Sequence, residues 1–287
     1  MSLNIRTNLP ALAAQRNLEQ TSTRLNQSYQ KLSSGLRINR ASDDAAGLAI
    51  AENLRVDSTL STMAMRNAND GISMIAIADQ AIGQIGNILN RLAELAQQSA
   101  NGVYDQTQRS ALQNEFTALS SEIERIAVTT AFNGIELLSA GSSFVFQIGF
   151  DGSSVSQLTY DQINTTLDAI GLAQAGTSVM AYSISAATEV ESQSASRNAL
   201  EAIKQALVKV NQSRGNLGAL ESRLTAAVNN LQVARENFKA AESQIRDLDV
   251  ASEAADLTRL NILQQSGAAI LAQANQQPSI ALQLLGR

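Results

Sequence analysis

The sequence predicts a mainly α protein: a long antiparallel helical rod, packed like a coiled-coil bundle and formed by both chain ends, with a small β-hairpin element in the middle of the chain. Three observations predict it. The 287 residues contain only two prolines, Pro10 and Pro278, near opposite ends, so no proline interrupts a helix between them. Apolar residues make up 44% of the chain but aromatic residues only 3%, and a core of Leu, Ile, Val and Ala suits packed helices better than an aromatic-rich sandwich. Ile203, Val210, Leu217, Leu224, Leu231, Phe238 and Ile245 recur every seven residues without a miss, which is the seam of a long amphipathic helix.

The first helix is marked by Leu18, Leu25 and Leu32, with Ser22, Tyr29 and Leu36 four places after each. Its apolar stripe is narrow. Ser33-Ser34-Gly35 and Asn39-Arg40 break it. Ser42-Asp43-Asp44 predicts a restart, a capping hydroxyl followed by two carboxylates near the positive end of the helix dipole. The next helix carries Ile75, Ala78, Ile82, Ile85, Leu89, Leu92 and Ala96 in steps of three and four. It stops at Ser99-Ala100-Asn101-Gly102, with the glycine as C-terminal signal. A further helix, about Thr107 to Val128, precedes Phe132-Asn133-Gly134.

From Gly141 the period becomes two. Phe144, Phe146, Ile148 and Phe150 alternate with Val145, Gln147 and Gly149, and Asp151-Gly152 follows as a hairpin turn. Met180, Tyr182 and Ile184 alternate likewise. This is the β element.

Thr188 and Glu191 have capping-box spacing and reopen the helical pattern. Three places after each large seam residue lie Ala206, Ser213, Leu220, Ala227, Ala234, Ala241 and Leu248, a mostly small row that lets a neighbouring helix approach closely. At about 1.5 Å per residue this helix would exceed roughly 70 Å. An amphipathic segment from Asp249 to Gln277 leads to apolar Ile280, Leu282, Leu284 and Leu285. A helix with one apolar seam is unstable alone in water, so the chain is expected to fold back on itself. Ile75, Ile82 and Leu89 would then meet the row from Ile203 to Ile245 as a rod core. The terminal seams, Leu18, Leu25 and Leu32 with Leu257, Leu260, Leu263, Leu282 and Leu285, have little else to bury against, which points to assembly between copies.

Histidine, cysteine and tryptophan are absent. No disulfide, thiolate metal site, or Cys or His nucleophile is therefore available, and neither a catalytic residue nor a cofactor is expected. Asp43-Asp44 and Asp247-Leu248-Asp249 read as helix caps, since no further oxygen-rich cluster accompanies them to make a metal site. The net charge of −5 gives no electrostatic reason to bind nucleic acid. No uninterrupted apolar stretch approaches the roughly 20 residues of a membrane span, and the first residues lack the pattern of a cleaved secretory signal.

These segments resemble bacterial flagellin over roughly residues 1–139 and 188–287. The resemblance rests on Leu3-Asn4-Ile5-Arg6-Thr7-Asn8, on Leu32-Ser33-Ser34-Gly35-Leu36-Arg37-Ile38-Asn39, and on Asp43-Asp44-Ala45-Ala46-Gly47-Leu48-Ala49-Ile50. Ala68-Asn69-Asp70-Gly71, Glu94-Leu95-Ala96, Gln98-Ser99-Ala100-Asn101 and Phe132-Asn133-Gly134 follow in order. Ile245-Arg246-Asp247 and Leu271-Ala272-Gln273-Ala274-Asn275-Gln276 close the series. One departure stands out: many flagellins carry Gly-Ala-x-Gln-Asn-Arg where this chain reads Gly218-Ala219-Leu220-Glu221-Ser222-Arg223. Contacts of that turn are not carried over.

The resemblance implies a structural filament subunit with no enzymatic activity, exported unfolded and polymerised through its helical ends for motility, outside the cell. Residues 1–41 and 249–287 would pair as a terminal domain lining the filament channel. Residues 42–140 and 188–248 would form the rod, and residues 141–187 a small β element lying on it. The implied partners are other copies of the chain, an export chaperone and the flagellar type III export apparatus, and hook-junction and filament-cap proteins. Arg91, Leu95 and Glu115 fall where flagellins recognised by the flagellin-sensing Toll-like receptor carry Arg, Leu and Glu. A hook–filament junction protein shares flagellin-like ends, but the completeness of both ends favours the filament subunit.

Without histidine, no side chain has an unperturbed pKa near 6.5. A filament of this chain is therefore expected to show no assembly switch between about pH 6 and 8, and to dissociate only as carboxylates protonate, near pH 4. Light scattering of filaments from pH 3 to 8 checks this, and a cooperative transition centred between about pH 6 and 7 would contradict it.

Overall fold

The computed structural model describes residues 7–139, 143–161 and 163–285, with side chains as far as Gln277. The protein is mainly α. Its elements run α1 (Leu9–Ser34), α2 (Ala45–Ser99), α3 (Gln106–Thr129), β1 (Ala131–Phe132), β2 (Ile135–Glu136), β3 (Phe144–Gln147), β4 (Gln157–Tyr160), α4 (Leu167–Ile170), α5 (Glu189–Arg246) and α6 (Val250–Leu285). Two compact units emerge. Unit 1 comprises Met1–Ser58 and Glu236–Arg287, and unit 2 is Thr59–Arg235. The helix breaks lie at 35–44 and 247–249, as the sequence suggested, whereas the division between units falls within α2 and α5.

In unit 2, α2 and α5 run antiparallel in a register that four contacts fix. A Cβ on Gly71 would meet Leu224, and one on Gly86 would meet Val210. Arg214 donates through Nε to Asp79 (2.9 Å), and Ser196 Oγ donates to Ser99 Oγ (3.0 Å). Ile75, Ile82 and Leu89 are buried with Ile203, Val210, Leu217 and Leu224 in one cluster, joined by Phe116 and Ile123 of α3. Leu231 is buried as well. Phe238 and Ile245, the last of the heptad row, lie in unit 1 and are only half-buried. The buried positions of α2 in that unit are Gly47, Ala51 and Ser58, and such small residues leave little to cover large side chains. A stretch of α2 is long and apolar enough, by length and composition alone, to cross a membrane. Its Ile75, Ile82 and Leu89 are spent on this core.

The middle segment belongs to unit 2 and is strapped to its helices. Strands β3 and β4 pair antiparallel, with Phe144 opposite Tyr160 and Phe146 opposite Leu158. The turn expected at Asp151-Gly152 is instead part of a loop from Ile148 to Ser156, where Ile148 and Gly149 N–H both donate to Ser156 O. The two-residue hairpin lies earlier, at Asn133-Gly134, whose φ values of 51° and 78° suit a type I′ turn between β1 and β2. Met180, Tyr182 and Ile184 form no strand. Met180 makes one isolated bridge to Ala173, and the Ile184 N–H and carbonyl bond to side chains, Gln113 Oε1 and Ser99 Oγ. Short helix α4 is held at both ends: Glu124 Oε2 accepts from Leu167 N–H (2.9 Å) and Lys209 Nζ donates to Ala169 O (3.3 Å). Each charge complements the helix end it meets.

Helix α3 starts at a capping box, Asp105 with Gln108, and α5 with the Thr188 hydroxyl accepting from Glu191 N–H (3.3 Å). At α2 the cap is Asp44, whose Oδ1 accepts from Gly47 N–H (2.9 Å). Ser42, the hydroxyl expected there, lies too early, and Asp43 turns back to accept from Asn39 and Arg40 N–H. A Cβ on Gly47 would stand 2.5 Å from Asp44 Oδ2 and 2.9 Å from Ile38 Cδ1. By helix propensity alone Gly47→Ala would stabilise by about 1 kcal/mol. Here it displaces the cap and the buried Ile38 side chain, and a net loss of about 0.5–2 kcal/mol is expected, read as a lowered Tm in thermal denaturation.

Candidate assembly surface

In unit 1 the two ends of the chain pack as an antiparallel helix pair. Asn8 caps α1 by accepting from Ala11 N–H (3.1 Å), and its Nδ2 donates across to Ala274 O on α6 (2.8 Å). At the other end of the pair, Leu36 bridges Asp247, and Arg37 N–H donates to Arg246 O (2.7 Å) and Leu248 N–H to Gly35 O (3.0 Å). Gly35 ends α1 at φ 70°, with its N–H on Lys31 O, a left-handed cap that favours glycine. Asp249 caps α6, accepting from Ala251 and Ser252 N–H. Asp247 accepts from Ser243 Oγ (2.6 Å). The Asp43 carboxyl is held below its usual range by the Arg40 N–H and then the Asn39 N–H. Its stabilisation is therefore present above the unfolded pKa and lost as pH falls through the folded one.

The sequence-predicted seam residues divide. Leu25 and Leu260 are buried, and Leu18, Leu32 and Leu257 are half-buried. Leu263 faces outward, 46% exposed, with Ile262 and Ile270 each 58% exposed and Leu9 62% exposed. Leu282 and Leu285 belong to α6, but their side chains lie outside the described residues. The helices approach closely where α6 has Gly267, since a Cβ there would stand 3.3 Å from Leu18 Cδ1.

Arg91, Leu95 and Glu115 do not form one exposed face. Arg91 and Glu115 are exposed and joined, Nη2 to Oε1 at 2.9 Å, with Glu94 also on Arg91. Leu95 is 0% exposed and belongs to the core. Its neighbours explain this: Leu92, Ala96 and Ser99 are buried on the same face of α2.

The most informative residue that sequence reasoning missed is Arg109. It is fully buried and donates to three backbone carbonyls, those of Ser99, Asn101 (2.9 Å) and Tyr104 (3.1 Å). Arg109 thus closes the C-terminal end of α2, where the sequence suggested Gly102 as the stop. A cation suits that end of the dipole. The only signal was position: an arginine in the first turn of a helix, just after the predicted end of another.

Comparison with known proteins decides what this arrangement belongs to. The model of the bacterial flagellin N-terminal helical region matches residues 5–143, and that of the C-terminal helical region residues 200–285. A flagellin of Halalkalibacterium halodurans is 42% identical, covering 98% of this chain and 99% of its own. The chain belongs to the bacterial flagellin family. A Bacillus subtilis flagellin is 38% identical over 99% of this chain and all of its own length. A solved chain described as a flagellar hook-associated protein from Vibrio parahaemolyticus shares the fold, with TM-score 0.58 over 71% of this chain and all of that one, at 14% identity. As a flagellin, the protein is a structural subunit of the flagellar filament that assembles with copies of itself, and it is not an enzyme.

Gly267→Val is expected to push α6 away from Leu18 and to reduce filament assembly measured by light scattering. Gly267→Ala should assemble close to normal. The far-ultraviolet melt of unit 2 should not change in either variant.

Proposed function

We propose that the α1–α6 pair is the polymerisation element of this flagellin. Residues 1–41 and 249–287 form the domain lining the filament channel, residues 42–140 and 188–248 the rod outside it, and residues 141–187 a surface element on the rod. The observation that carries this reading is the set of exposed apolar side chains on the pair, Leu9, Ile262, Leu263 and Ile270, each left about half or more open to solvent. Uncovered apolar helix faces favour association. The subunit is exported unfolded through the flagellar type III apparatus to an extracellular filament, and meets hook-junction and cap proteins there. Before assembly an export chaperone covers the apolar positions of α6: Leu257, Leu260, Leu263, Ile270, Leu271, Leu282 and Leu285. Recognition by the flagellin-sensing Toll-like receptor would use the exposed Arg91 and Glu115, with Leu95 acting from the core.

Limited proteolysis of the soluble monomer tests the main proposal. It should trim about 40 residues from each end, since terminal segments with few buried contacts open most readily, and leave a folded core containing 59–235. Deleting either α1 or α6 should abolish polymerisation while that core keeps its melting transition. Polymerisation by either deletion variant would overturn the proposal.

A further inference from the structure

Two Asn-Gly pairs stand in exposed connections, Asn101-Gly102 between α2 and α3 and Asn133-Gly134 between β1 and β2. Such pairs are chemically labile, because a glycine nitrogen with no Cβ beside it can attack the side-chain amide carbon of the preceding asparagine. Their surroundings here are opposite. Asn133 and Gly134 are held at positive φ by the pairing of Phe132 with Ile135 and Ala131 with Glu136, and by Leu137 N–H on Thr130 O (3.0 Å). Ring closure there requires rotating Asn133 out of the left-handed conformation that the hairpin depends on. Asn101 lies beyond the last turn of α2, outside any ladder.

Two contacts at Asn101 match what ring closure demands. Val103 N–H donates to Asn101 Oδ1 (3.3 Å), the oxygen on which negative charge builds as the side-chain carbonyl is attacked, in the manner of an oxyanion hole. Arg109 Nη2 donates to the Asn101 backbone carbonyl (2.9 Å), which shares its peptide group with the Gly102 nitrogen. A buried guanidinium on that oxygen draws charge from the peptide and makes the Gly102 N–H more acidic, and the deprotonated nitrogen is the nucleophile. Among the described residues the Gly102 N–H donates to no acceptor, so no hydrogen bond has to break first.

We propose that Asn101-Gly102 is a site of spontaneous deamidation built into the α2–α3 loop, with Arg109 as its activating residue. Solvent base takes the Gly102 amide proton, the nitrogen bonds to Asn101 Cγ, and Nδ2 leaves as ammonia to give a cyclic imide. Water then opens the imide at either carbonyl, leaving an aspartyl or isoaspartyl residue at position 101. Both products put a carboxylate beside Arg109, and the isoaspartyl form also lengthens the main chain by one carbon. The contacts that close α2 are altered in either case.

The test is to incubate the purified full-length chain at mildly alkaline pH and follow positions 101 and 133 by peptide mass spectrometry and isoaspartyl methylation. Conversion is expected several-fold faster at Asn101 than at Asn133. Arg109→Gln should slow it at Asn101 and leave Asn133 unchanged, with Arg109→Lys in between. Gly102→Ala should nearly stop it, since the new Cβ shields the nitrogen. The Ala side chain would meet only Gln193 Nε2, at 3.2 Å, so this variant keeps its fold, as circular dichroism would check. Conversion at Asn133 equal to or faster than that at Asn101 in the wild-type chain would overturn the proposal. An unchanged or raised rate at Asn101 in a folded Arg109→Gln variant would remove Arg109 from it.

Discussion

The structure depends on the antiparallel register of α2 against α5. Neither helix can bury its seam alone, and each presents apolar residues on only one side. Their pairing brings Gly71 to Leu224, Asp79 to Arg214, Gly86 to Val210 and Ser99 to Ser196. Sliding by one residue would lose all four contacts together. The Asp79–Arg214 pair lies at the surface, each side chain a little under half exposed, and contributes little stability by itself. Its value is in register, because it meets only when the apolar rows are aligned. Helix α3 and the middle segment then cover faces that two helices leave open.

That register ends in a polar plug. Ser99, Ser192, Ser196 and Arg109 are all buried where α2 stops and α5 begins. Ser196 Oγ donates to Ser99 Oγ, Ser192 Oγ accepts from Ala186 N–H, and Gln113 and Gln106 reach into the 183–186 segment. Burying such groups is tolerable only because they are hydrogen-bonded. The guanidinium of Arg109 does the same for carbonyls that the end of a helix leaves without partners. An apolar residue at 109 would fill the space and leave the carbonyls of Ser99 and Asn101 unpaired, so the charge is there for the backbone.

What the sequence made legible follows from period. Seven-residue spacing marked Ile203 to Leu231 as core, and alternation marked β3, because burial on one side repeats at the pitch of the element. Glycines at 35, 71 and 267 look alike in sequence, yet one turns the chain, one admits Leu224 and Phe146, and one admits Leu18. Only the partner helix tells them apart. The same limit hid Arg109, Glu124 and Lys209, whose partners are backbone atoms supplied by another segment. The resemblance grouped Leu95 with Arg91 as one recognition surface. In an interior helix, four residues of separation put neighbours near the edge of a buried stripe, and here the edge falls between them. The turn at Asn133-Gly134 was readable from the dipeptide, but the short strands on either side left too little alternation to reveal a hairpin.

The two units differ in how completely they satisfy themselves, and function follows from that difference. Unit 2 closes a core of large side chains from three helices and the middle segment. Among the described side chains of the α1–α6 pair in unit 1, the buried apolar ones are Ala14, Leu25, Leu260 and Ala274, a thin seam for two helices of this length. Ile262, Leu263 and Ile270, side chains of the same size as the buried leucines, remain about half exposed. Each Å² of apolar surface removed from water contributes about 25 cal/mol, so covering those side chains with further helices of the same kind adds burial that the pair alone does not reach. A flagellin whose terminal pair were fully satisfied would be a more stable monomer and a poorer polymer. On the proposed reading, the incomplete seam suits a subunit that completes its burial in the filament.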